Sequence, residues 1–130
     1  MTPKAQRTTP CGPHERKSRM VVAEGFWADA EDLTALGTGH GNSVVTLYVH
    51  AGIAAADIIC CARLGRYSSS GNHADALLLL QQAAPELKPS LQRLVSVKSS
   101  AGYGVESMSA KKITEARAAA DKLMTAARMV

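Results

Sequence analysis

Residues Val44–Leu64 read VVTLYVHAGIAAADIICCARL and end against Gly65. Alanine-rich apolar sequence of this kind favours helix. Wound as a helix, the segment carries two apolar stripes. Val45, Val49, Gly52, Ile53, Ala56 and Cys60 form one, and Leu47, Tyr48, Ala51, Ala55, Ile58 and Ala62 form the other. A helix apolar on so many sides is buried by neighbours on several of them, so the segment is expected at the centre of an all-α domain. Gly52 and the alanines permit close helix approach. The run approaches the length of a membrane span, but His50, Asp57 and its small-residue texture favour a core helix, and no membrane partner is expected.

Thr46, His50, Asp57 and Cys61 form a narrow polar strip on this helix. The seven-residue step from His50 to Asp57 is almost two whole turns, so the two side chains leave the helix in similar directions. A buried carboxylate is costly unless paired; Arg66, Arg63, Lys98, Tyr103 or a histidine is the expected partner of Asp57. His50 is expected to be a satisfied core or interface residue. The scattered histidines and cysteines lack metal-ligand spacing, so no metal and no cofactor is expected.

Downstream, Gly65 suits the left-handed position after a helix end. Arg66-Tyr67-Ser68-Ser69-Ser70-Gly71-Asn72-His73 then reads as a polar hinge before the Leu-rich segment Ala74–Leu80. Asn72 is placed to cap that helix, with Asp75 reaching back three positions on. This sets His73 in the first turn, where the helix dipole favours a neutral imidazole and the free N–H groups favour an anion. Arg66 and His73 thus bracket a possible phosphate site, one supplying permanent charge and the other a movable proton. The plainer reading makes Arg66 a solvated charge and His73 an ordinary first-turn residue. Pro85 and Pro89 interrupt the pattern, a short helix follows through Leu87, Leu91, Leu94 and Val95, and Lys98–Gly104 is expected as a loop. Ser109 caps a closing helix with Ile113, Ala116, Ala120, Leu123, Met124 and Ala127 inward.

Upstream, Val21, Val22, Phe26, Ala30, Leu33 and Leu36 recur at helical steps over a segment from near Glu15 to Leu36, with Trp27 expected to cover a seam between helices. Three glycines among residues 37–41 end it, and Asn42 or Ser43 is expected to cap the next helix. The chain has 130 residues and a formal charge of +4, and residues 1–19 alone hold five basic residues against one acidic residue. The rest balances at ten of each. Residues 1–17 are therefore expected as a disordered basic tail and 18–130 as a single helical domain. The three cysteines suggest no disulfide framework, since Cys60 and Cys61 are adjacent in a helix and Cys11 lies in the tail, and a reducing cytoplasm fits that pattern.

The order of these elements resembles the HEPN family (higher eukaryotes and prokaryotes nucleotide-binding domain) over roughly residues 18–129. Residues Val49–Asp57, Gly71–Leu80, Lys98–Tyr103 and Val105–Ala110 carry the resemblance. It implies an up-down bundle of four to five helices that forms a homodimer. It also implies a metal-independent RNA endonuclease, a toxin or defence component, in which Arg66 and His73, six residues between them, meet their symmetry mates at a dimer cleft. His73 would take the ribose 2′-OH proton and Arg66 would hold the phosphate oxygens. Tyr67, Asn72 and Asp57 would bind substrate or support the pair, although Tyr67 stands where the family often has a polar residue. The alternative that the resemblance carries is a non-catalytic module that binds a nucleotide, or a nucleotidyltransferase or antitoxin protein.

Overall fold

The computed structural model describes residues 7–37 and 39–130. Among these the chain forms an all-α bundle of five helices with one small two-stranded sheet. Helix α1 spans Pro13–Leu36, α2 Gly41–Leu64, α3 His73–Ala83, α4 Lys88–Tyr103 and α5 Ala110–Arg128; a single 3-10 turn, Pro85–Leu87, joins α3 to α4. Strands β1 (Thr8–Pro10) and β2 (Arg66–Ser68) pair antiparallel, with Tyr67 opposite Thr9.

The expected central helix is α2, which packs against each of the other four. Val45, Tyr48, Val49, Ile58 and Ile59 are fully buried beside Leu79, Leu80, Leu91, Leu94, Leu123 and Met124. This burial accounts for a helix long and apolar enough to cross a membrane by length and composition alone. At Gly52 the backbone meets the Leu94 and Leu123 side chains so closely that an added Cβ would clash with Leu94. Gly65 ends α2 with φ at 70°, its N–H bonded to the Cys61 carbonyl.

Helices α1 and α5 are joined by two forked ion pairs. Arg117 donates through Nε and Nη2 to Glu31, at 2.6 and 3.1 Å, and Arg128 does the same to Glu24, at 2.7 and 3.1 Å. Both guanidinium groups lie over Trp27, 5.8 Å from its ring centre, so the indole covers the seam as its position implied. Arg128 is therefore a paired charge at the seam of α1 and α5. The buried Tyr48 hydroxyl donates to Glu31 at 2.6 Å, which ties the same network to α2.

Several local expectations are corrected. Residues 8–17 are not a disordered tail: β1 and the start of α1 occupy them, and Cys11 forms a disulfide with Cys61, their Cα atoms 5.4 Å apart. The part of the expected tail in residues 1–6 lies outside the described residues. The bridge was obscured by the neighbouring Cys60, which is free and buried. A bridged pair is characteristic of oxidising surroundings, so the cysteines no longer argue for a reducing compartment. Asn42 does not cap α2. Its Oδ1 accepts from the Met108 N–H at 2.8 Å and its Nδ2 donates to the Glu106 carbonyl at 3.3 Å, which holds the segment before α5. The expected loop at Lys98–Gly104 is helical as far as Tyr103, because burying Ala101 outweighs the weak helix preference of the serines and Gly102.

Candidate functional site

The loop between β2 and α3 is fixed by its own side chains. Asn72 caps α3 as its type and position predict, its Oδ1 accepting from the Ala74 N–H at 2.8 Å. Asp75 does not reach back to the cap residue's backbone; it accepts from the Ser70 hydroxyl at 2.9 Å, and Ser70 in turn accepts from the Asn72 N–H. Asn72 and Asp75 thus hold the loop in place and set His73 at the first position of α3.

Arg66 and His73 do not meet within the chain. The Arg66 Nη2 lies 3.4 Å from Gln82 Oε1, in the last turn of α3. His73 is nine residues earlier on that helix, about 13 Å along its axis at 1.5 Å per residue. The cation beside His73 is Lys98, whose Nζ is 3.2 Å from the imidazole Nε2. Burial first, and Lys98 second, push the His73 pKa below its ordinary value. The ring is then neutral at pH 7, with Nε2 accepting from the ammonium and the proton on Nδ1.

His50 packs on the α1 side of α2. Its ring stacks on Phe26 at 5.2 Å, and burial, followed by Lys98 and Arg19, lowers its pKa. Among the described residues no three His, Cys, Asp or Glu side chains are grouped to hold a metal ion.

Asp57 does have a partner, but none of those expected. Arg19, from α1, donates to its Oδ2 at 3.1 Å. Burial raises the Asp57 pKa to about 6, against the opposing attraction of Arg19. Tyr67 holds its place in the sheet through its backbone, and its side chain helps line a cavity of about 630 Å3 between α1, α2 and β2 that Asp57 also borders. Lys98 as the neighbour of His73 and Arg19 as that of Asp57 were the two contacts missed by sequence reasoning. The one available signal was that a buried acid needs a base.

No family model matches the chain, and no curated protein is detectably similar to it. The assignment of a role to these side chains therefore rests on their chemistry.

The Asp57 environment has a consequence for stability. Its pKa in the fold lies above the unfolded value near 3.8, so its favourable contribution is complete below pH 4 and is lost as pH rises through 6. A difference of about two units corresponds to roughly 3 kcal/mol. Asp57→Asn is expected to gain stability relative to the parent by up to about that amount between pH 4 and pH 6.5, because a neutral amide escapes the penalty while the half-exposed Arg19 returns to water. Urea denaturation of both proteins across that range measures it. A constant difference between them would show that Asp57 titrates as an ordinary surface acid.

Proposed function

We propose that this chain is a HEPN-like helical module that binds the phosphate of a nucleotide or an RNA strand beside His73 and Lys98. The observation supporting this reading is the 3.2 Å approach of Lys98 Nζ to His73 Nε2 at the first turn of α3. An incoming phosphate finds an ammonium, the uncapped N–H groups of a helix start and an imidazole edge within one small region. Lys98 takes the role that Arg66 was expected to fill, and Asn72 supports the site by fixing the turn.

RNA cleavage without a metal is the second reading, favoured by one observation. A neutral His73 is in the form needed to accept the 2′-OH proton once phosphate draws Lys98 away. With Arg66 at the far end of α3, cleavage by the Arg66–His73 pair requires the arginine of a second protomer.

Titration of a labelled single-stranded RNA oligonucleotide in EDTA, followed by electrophoresis of the same samples, separates the readings. Lys98→Ala is expected to weaken binding about 10- to 100-fold, the worth of one charge-assisted hydrogen bond, and Arg66→Ala to leave it within about threefold. A cyclic-phosphate product that disappears in His73→Ala supports the nuclease. Wild-type binding by Lys98→Ala would overturn the assignment.

A further inference from the structure

A second candidate site is the cavity between the start of α1, the second half of α2 and strand β2. At about 630 Å3 it is within the usual size range for small-molecule sites, and it is open to solvent. Its lining is apolar at Val22, Ile58 and the Cys11–Cys61 bridge and polar at His14, Glu15, Arg16, Arg19, Asp57 and the Ser68 and Ser69 residues of β2 and its loop. Arg16 has no carboxylate within ion-pair distance among the described residues. Arg19 holds Asp57 through Oδ2 alone, and Oδ1 accepts no hydrogen bond among them.

We infer that this cavity is a binding site for a small organic anion, a carboxylate or a phosphate monoester, taken up together with one proton. The two arginines and the serines supply partners for the anionic group, and Val22, Ile58 and the disulfide supply contacts for the body of the molecule. Arg19 is half-exposed and long enough to turn toward the ligand. When it does so, Asp57 loses the only cation bonded to it among the described residues and is left buried as an unpaired carboxylate. It then takes a proton from solvent, and the resulting carboxyl O–H becomes a donor to the ligand oxygen. For a carboxylate, one negative charge and one proton enter together; for the doubly charged phosphate class, Arg16 meets the second charge.

The titratable neighbours of Asp57 come from several elements. Glu15, Arg16 and His14 of α1 and Tyr67 of β2 share the cavity, and Cys60 of α2 and His73 of α3 share the small pocket behind it, with Lys98 of α4 beyond His73. Burial raises the Cys60 thiol to about 12, and the nearby charge of Asp57 adds to this, so it carries no charge at neutral pH. His73 is neutral for the reasons already given.

Calorimetry on the full chain tests the inference with two probes that do not titrate near neutrality, sulfate for the phosphate class and benzoate for the carboxylate class. The His73→Ala/Lys98→Ala background removes the other anion site, so the outcome is independent of the RNA-binding reading. Saturable binding of either probe is expected, with the class given by which one binds. Repetition in two buffers of different ionisation enthalpy at pH 7 is expected to show uptake approaching one proton. Affinity should rise up to about tenfold for each unit of pH lost, levelling near pH 6. Arg19→Ala should lose at least about tenfold, and Asp57→Asn should bind without proton uptake. Absence of saturable binding by both probes overturns the proposal. So does undiminished binding by an Arg19→Ala protein whose circular dichroism is native, or proton uptake that persists in Asp57→Asn.

Discussion

Cys11→Ser is expected to lower the unfolding free energy by about 2–4 kcal/mol. The bridge joins residues 50 apart in sequence, so opening it gives the unfolded chain the freedom of a long loop. The folded state has little to offset that gain. Without the bridge, the N-terminal segment is held to the end of α2 by a three-residue strand pairing and by the Cys11 N–H to Gly65 carbonyl bond of 2.9 Å. Guanidinium denaturation of the oxidised parent, the reduced parent and both Cys11→Ser and Cys61→Ser measures the effect. All three altered states are expected to agree within about 0.5 kcal/mol, since each removes the same cross-link. A parent indifferent to reductant would show that the cross-link is not formed in solution.

Gly52→Val is expected to destabilise the fold by about 3 kcal/mol or more, at or beyond the upper end for an overpacked core. The position lies where α2, α4 and α5 converge, with Leu94 and Leu123 both fully buried against the glycine. An added Cβ already falls inside the Leu94 side chain, and valine adds two methyl groups to that collision. Leu94 cannot swing away because its surroundings are packed. The better helix propensity of valine returns only a few tenths of a kcal/mol. Thermal and chemical denaturation give the loss, and Leu94→Ala in the Gly52→Val background identifies its cause. Leu94→Ala alone costs about 2–5 kcal/mol, but in the valine background it should cost far less or even restore stability. Additive losses would place the damage elsewhere.

The four helices with strong local signals were legible in the sequence. Their apolar periodicity, Gly65 after α2, the Asn72 and Ser109 caps and the stop at Pro85 are all properties of neighbouring residues, so a single chain displays them. The extension of α4 to Tyr103 was not legible, because it depends on Ala101 finding the core. Nor was the β1–β2 pair, nor the partners Cys11–Cys61 and Arg19–Asp57. Each is a contact between segments far apart in sequence, and Arg19 and Cys11 were further disguised by the polar, basic composition around them.

The candidate site divides along the same line. His73 at the first position of α3 followed from Asn72 and the Leu-rich run after it. Its association with Arg66 did not follow, because a spacing of seven residues does not reveal that β2 directs the guanidinium to Gln82 at the opposite end of α3. Lys98, 25 residues from His73, reaches it only through the packing of α4 beside α3.

Burial of the unpaired thiol beside the cross-link has a chemical corollary. Exchange between sulfurs requires a thiolate, and Cys60, with its pKa pushed up to about 12, supplies almost none at physiological pH. Although it is the immediate neighbour of Cys61, it therefore cannot displace that residue from Cys11 while the bundle stays folded. Fidelity of sulfur pairing is set by solvation, and scrambled isomers are confined to chains that have first lost their tertiary structure.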